Sequence, residues 1–287
     1  MTKNGTHVSF NKTLSSHRKE GRCEDLTGQV HVRREQRGGA EIAWLTIDNE
    51  AKLNTLGSPL MESLVASVDA AGADPAVRAI VLTGAGSRAF IGGADIGEMA
   101  ALDAATARTF ITRVHQCCDA MRRAPVPVIA RIGGYTFGAG LEIAAACDLR
   151  VASDTAVFGM PEVKLGIPSV VEAALLPMLV GWGRTRQMLL LGETFTANEA
   201  LSWGLVERVT TQASLDKAVG EWLDALLTSK PQAVRLQKAL IRSWEDLPLR
   251  EAVAAGVTSF AAAWDTDEPK RAMAEFLAAR KRHKSGQ

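Results

Sequence analysis

A chain of 287 residues, 47% hydrophobic and 23% charged, has enough apolar material for a sizeable core and lacks the low-hydropathy, high-charge signature of a disordered protein. A formal net charge of +1 creates no field that would gather nucleic acid, which excludes polyanion binding as a main role. No apolar run reaches the roughly eighteen residues of a membrane span, and the N-terminus lacks the apolar stretch of a secretory signal, so a cytoplasmic protein with no membrane partner is expected.

Residues 1–28 are polar and aperiodic and read as a disordered N-terminal extension. Segments 30–35 and 41–48 alternate apolar and polar residues around Arg37-Gly38-Gly39, which predicts an antiparallel hairpin. The rhythm then changes. Residues 58–71 have helical spacing, 79–82 form a short apolar strand, 106–123 are helical, and 126–132 read as a strand after proline punctuation. A helix near 140–147, a strand at 149–152, helices near 169–180 and 184–191 and a strand at 205–209 continue the alternation, so an α/β core over 29–212 is expected.

Strand signals stop from residue 215 onward. Segments 215–227, 231–244, 249–263 and 269–281 are helical, with Pro231 and Pro269 suited to first turns, and 213–287 reads as a C-terminal helical region. Its apolar positions, among them Leu240, Val253, Val257, Phe260, Met273 and Phe276, are numerous for so thin a layer. They predict docking on the core or on a neighbouring subunit, hence a homo-oligomer. Cys23, Cys117, Cys118 and Cys147 form no CxxC pair and read as reduced thiols; His7, His17, His31, His115 and His283 show no ligand spacing, so no metal site is expected.

Three stretches carry chemistry. In the first, 79–99, a buried strand runs into a glycine-rich loop. Gly84-Ala85-Gly86-Ser87-Arg88-Ala89 fits the loose dinucleotide fingerprint, but that motif demands a helix directly after the glycines and Gly92-Gly93 interrupts, so nucleotide binding is not expected. In the second, 132–148, a strand ends, small residues turn the chain and an alanine-rich helix begins. The unpartnered N–H groups and dipole of a helix start suit a negatively charged oxygen. Glu142 stands three residues beyond Ala139, on one helical face with it; it either works beside that oxygen site or merely complements the dipole at a surface.

In the third stretch, 156–168, Glu162 follows Pro161 in apolar surroundings. Burial would raise its pKa while the helix dipole lowers that of Glu142, which suggests an acid and base pair; the alternative is a turn glutamate paired with Lys164.

Residues 90–99, 134–142, Met160-Pro161-Glu162 and the turn 52–56 together resemble the crotonase (enoyl-CoA hydratase/isomerase) superfamily, from about residue 30 to the C-terminus. The resemblance implies a crotonase-like spiral of ββα turns followed by a C-terminal helical oligomerisation region, assembled as a trimer or as a hexamer built from two trimers. It implies an oxyanion hole from the N–H groups of Ala94 and Ala139, with Glu142 and Glu162 as the carboxylates, Glu142 as base and Glu162 as proton donor. Lys52, Leu53, Gly93, Asp95, Ile96, Gly97, Gly138, Arg280 and Lys281 would contact the thioester or its coenzyme A. The activity so implied is that of a lyase of fatty acid metabolism, an enoyl-CoA hydratase adding water syn to a 2-enoyl-CoA. No cofactor is needed beyond the coenzyme A carried by the substrate, and no nucleic-acid partner is implied. An enoyl-CoA isomerase, a dehydratase of a polar acyl-CoA and a non-catalytic acyl-CoA-binding protein remain as alternatives.

Two departures stand out. Hydratases of the family usually continue Pro-Gly-Ala-Gly-Gly where this chain has Pro168-Ser169-Val170-Val171-Glu172, which should narrow the space around the catalytic water. Glu172 either adds a third carboxylate there or faces solvent in a first helical turn, and the solvent-facing position is expected. Ala139 replaces the middle glycine of a Gly-Gly-Gly run and leaves the N–H donor intact. The acyl tail is expected to be shaped by an irregular segment over 98–113 and by the helical tail.

Overall fold

The computed structural model describes residues 28–284, so the extension expected over 1–28 lies, but for its last residue, outside the described residues, as does Cys23. The described residues open with the expected hairpin, β1 (Gln29–Arg37) against β2 (Ala40–Asp48), turned by Gly38 and Gly39 at φ 57° and 79°. A 3-10 turn, Glu50–Lys52, leads into α1 (Ser58–Ala73), β3 (Val77–Gly84), β4 (Ala89–Ile91), α2 (Ile96–Met99) and α3 (Ala104–Arg123). Asp103 starts α3 with a capping box, its side chain accepting from the N–H groups of Ala105 and Thr106. The segment expected to be irregular over 98–113 is therefore mostly helix.

Next come β5 (Val128–Ile132), β6 (Tyr135–Phe137), α4 (Ala139–Ala146), β7 (Leu149–Ser153) and β8 (Val157–Gly159). They are followed by α5 (Leu176–Leu191), β9 (Thr194–Thr196), α6 (Ala197–Trp203) and β10 (Arg208–Thr210). The helix expected near 169–180 begins instead as a 3-10 turn, Val171–Leu175, that passes into α5, itself kinked where Gly181 takes φ 74°. Four α-helices end the described residues: α7 (Leu215–Thr228), α8 (Pro231–Asp246), α9 (Leu249–Ala262) and α10 (Glu268–Lys284).

Two sheets organise these elements, one of six strands in the order β1-β2-β3-β5-β7-β10 and one of four in the order β4-β6-β8-β9. Each of the pairs β3 and β4, β5 and β6, β7 and β8 sends its first strand to the larger sheet and its second to the smaller, joining parallel to the previous turn's strand. One strand per sheet per turn is a spiral of ββα units. The second strands were invisible to periodicity because three residues are too few to show an alternation.

The larger sheet is covered on both faces, and β3 shows how. Ile80 and Leu82 point into the main core with α1 and α3, while Ala79 and Val81 join Leu215, Val219 and Leu223 of α7 on the other side. Period-two alternation makes that division. Helix α8 is fastened by the buried Lys238, whose Nζ donates to Met121 O (2.8 Å), Val126 O (3.0 Å) and Asp148 Oδ2 (2.6 Å). Among the described residues no helix is long and apolar enough to cross a membrane.

Candidate active site

Residues Leu53 and Asn54, both left-handed, turn the chain after β2, and the buried Asn54 side chain bonds Asn49 N, Ala85 O and Ala89 O. This pin holds the glycine-rich loop after β3. The strand β4 follows those glycines instead of a helix, so the dinucleotide geometry is absent, as expected. Leu56 then bridges the next loop, donating to Gly93 O at 2.9 Å and accepting from Asp95 N at 2.9 Å, which fixes the peptide of Ala94 between them. Asp95 caps α2 through the N–H groups of Gly97 and Glu98 and pairs with Lys52 Nζ at 3.0 Å; that hydrogen bond to Lys52 holds its carboxyl below the usual range.

The second N–H comes from Ala139 at the first position of α4. A Cβ at Gly140 would collide with Ile91 O, so only glycine lets α4 lie this close to β4. Gly138, at φ 51°, has a backbone that disfavours any side chain, and a Cβ there would also push Oε1 of Glu162 from its place. Among the described residues neither Ala94 N–H nor Ala139 N–H donates to a backbone carbonyl, and both alanines line one cleft of about 300 Å³.

Glu142 and Glu162 open into the same cleft. Glu162 begins a 3-10 turn after β8, and its Oε2 accepts from Ser169 Oγ at 2.7 Å. The cleft also takes in Met99, Phe110, Ile111 and Val114 as an apolar wall from α2 and α3. Of the expected contact residues, Gly93, Ile96 and Gly138 line the cleft beside Ala94 and Ala139; Lys52, Leu53, Asp95 and Gly97 form its supporting turn. Arg280 and Lys281 lie exposed on α10 and are not among the lining residues. Val114 and Phe110 were missed as site residues; their period in a helix marks a core face and says nothing of what that face meets.

Electrostatics reverse one expectation. Glu142, not Glu162, is the buried carboxylate, with 4% exposure, and burial, reinforced by the charge of Glu162, pushes its pKa up to about 8. Ala173 N–H, donating to Oε1 at 3.2 Å, works against that rise without cancelling it. The helix-start dipole that was expected to lower Glu142 is outweighed because the whole side chain is covered. Glu172 is the second correction: it does not face solvent but is buried, with Oε1 2.8 Å from His115 Nδ1.

A strand-fed loop and a helix start thus bring Ala94 and Ala139 to one cleft that two carboxylates also line. Residues 37–287 match the enoyl-CoA hydratase/isomerase family. The chain belongs to that family. A short-chain-enoyl-CoA hydratase of Clostridium acetobutylicum is 34% identical over 242 residues, covering 84% of this chain and 93% of that protein. A crotonyl-CoA hydratase of Syntrophomonas wolfei is 34% identical over 245 residues, with coverage of 84% and 93%. Among solved structures, an enoyl-CoA hydratase of Mycobacterium smegmatis superposes with a TM-score of 0.83 at 28% identity, covering 87% of this chain and 96% of its own. In this member of the enoyl-CoA hydratase/isomerase family the ββα spiral and C-terminal helices are those of the crotonase fold.

Proposed function

We propose that this chain is a hydro-lyase that adds water syn across the double bond of a 2-enoyl-CoA thioester and runs the reverse dehydration of a 3-hydroxyacyl-CoA. The observation that carries the reading is the convergence of Ala94, Ala139, Glu142 and Glu162 on one cleft of about 300 Å³. A family relationship alone would leave the reaction open; the two carboxylates favour hydration over an isomerase, for which one would suffice, and over a non-catalytic acyl-CoA carrier.

The thioester carbonyl oxygen accepts from the N–H groups of Ala94 and Ala139. As the water oxygen bonds to the β-carbon, the double-bond electrons move onto the carbonyl oxygen, where each N–H is worth roughly 3 kcal/mol to the developing enolate. Two carboxylates around one water share a single proton, and the buried Glu142 keeps it. Glu162 therefore takes the proton from water while Glu142 protonates the α-carbon, the reverse of the order implied by the resemblance. Both groups work from the same face, so addition is syn. No cofactor enters beyond the coenzyme A of the substrate.

The Lys52 turn and the 94–97 loop would carry the thioester arm, with Arg280 and Lys281 reaching the coenzyme's phosphates from α10. Exposed Val253, Val257, Phe260 and Phe276 on α9 and α10 support self-association as a trimer or a pair of trimers. Fatty acid metabolism in the cytoplasm is the setting this reading favours. Incubation with crotonyl-CoA and, separately, a 3-enoyl-CoA tests it: loss of conjugated thioester absorbance with the first is expected, whereas turnover of the 3-enoyl-CoA alone would establish an isomerase instead.

A further inference from the structure

Residues 169–173, where the family's hydratases usually carry a glycine-rich turn, are tied down at three points. Ser169 Oγ donates to Glu162 Oε2 at 2.7 Å, Ala173 N–H donates to Glu142 Oε1 at 3.2 Å, and Glu172 Oε1 lies 2.8 Å from His115 Nδ1. Between these ties Val171 takes φ 40°, a left-handed backbone that a β-branched residue adopts only where its surroundings force it. The side chain of Glu172 is 5% exposed, and its Oε2 meets no nitrogen or oxygen partner among the described residues, with only the weak thiol donor of Cys118 on α3 beside the carboxylate. Glu172 is not among the residues lining the cleft, so contact with substrate does not account for it. A carboxylate buried with one oxygen unmatched is costly, and such a group calls for a reason.

We propose that Glu172 is a positioning residue for proton transfer: clamped by His115, it sets its negative charge against the neighbouring Glu142 and so keeps the proton on that acid. The half-exposed imidazole of His115 is then the solvent-side anchor of a chain of groups that ends at the catalytic carboxyl. The kinetic meaning of this arrangement rests on the hydratase reading, whereas the charge coupling does not.

Glu142 meets Glu162 from the turn after β8, Glu172 from the 171–175 turn and the thiol of Cys118 from α3. Glu172 meets His115, Cys117, Cys118 and Arg122 on α3, of which Arg122 is already engaged with Glu245. Strand β4 carries no titratable side chain, β6 only the exposed Tyr135, and the first turn of α5 none. Glu172 acts in the same sense on Cys117, Cys118 and Glu142, raising each: behind burial for the two thiols, and behind both burial and the charge of Glu162 for Glu142.

The test is an infrared titration of the protonated carboxyl band in the ligand-free full chain, assigned by its loss in Glu142→Gln. The wild-type midpoint is expected near pH 8. Removing a neighbouring negative charge makes Glu142 easier to ionise, so Glu172→Gln should lower the midpoint by about one pH unit. His115→Ala removes the clamp that holds the Glu172 charge against Glu142 and should lower the midpoint in the same direction; the double variant should add nothing further. The descending limb of crotonyl-CoA hydration against pH should move with the midpoint. Midpoints within a few tenths of a unit of wild type in both single variants would overturn the proposal. If Glu172→Gln fails to fold, His115→Ala, at a half-exposed position, decides alone. Shifted midpoints in a protein that does not hydrate crotonyl-CoA would uphold the coupling and remove the hydratase reading.

Discussion

The N–H of Ala173 points at Oε1 of Glu142 across 3.2 Å, joining a turn that follows β8 to a helix that precedes it by 31 residues. This contact orients the acid, and burial keeps it protonated up to about pH 8. A proton donor is useful only in its acid form, so kcat/KM for crotonyl-CoA hydration should fall as pH rises through about 8. Glu142→Gln and Glu162→Gln should each lower kcat by about 10²–10⁴-fold while acyl-CoA binding survives. Wild-type turnover in either variant would remove the two-carboxylate mechanism.

The same carboxyl makes stability depend on pH. Its folded pKa lies above the ordinary 4.5, so the folded state binds the proton more tightly than the unfolded chain. Its contribution is complete below about pH 4.5 and is lost as pH rises toward 8, by up to about 1.4 kcal/mol per unit. Glu142→Gln has no proton to lose. Urea unfolding should find it more stable than wild type by about 3 kcal/mol at pH 7, with the difference closing near pH 4. Parallel pH slopes for the two proteins would contradict this account.

Ser169 donates to Glu162 Oε2 at 2.7 Å and holds the carboxylate over Gly138. A hydrogen bond to a charged group is worth about 1.5–3 kcal/mol, so Ser169→Ala should cost roughly tenfold or more in kcat. KM for the thioester should change little, because the lost contact acts on the base and not on the coenzyme arm. A raised KM with unchanged kcat would place Ser169 in binding instead.

Lys238 fastens α8 to the core through two carbonyls and Asp148, at 7% exposure. Lys238→Met strands those acceptors. Asp148 is partly exposed and keeps the Val128 N–H, so the loss should be about 2–3 kcal/mol, read as a lower urea midpoint. An unchanged midpoint would mean that apolar contact alone holds the helix.

Much of the spiral was legible because it is written locally. Alternation marks β1 and β2, a short apolar run marks β3, the 3.6-residue period marks α1, α3 and the four C-terminal helices, and Gly38-Gly39 marks the hairpin turn. The short strands β4, β6, β8 and β9 were not, since three residues become a strand only when the previous turn of the spiral supplies an edge to pair with. The segment 169–180 read as one helix, yet Val171 leaves helical geometry where Ser169 and Ala173 answer to Glu162 and Glu142.

By itself the sequence determined which chemical groups this protein has and how they are spaced: small residues at a helix start, glycines that admit close backbone approach, and glutamates at 142 and 162. Only the tertiary structure decided which glutamate is dry. Glu142 is covered by the 171–175 turn, and Glu172 by α3, whose His115 is 57 residues away. Spacing along a chain specifies what a residue can do, but a carboxyl holds or releases its proton according to the dielectric and charges that distant segments bring to it.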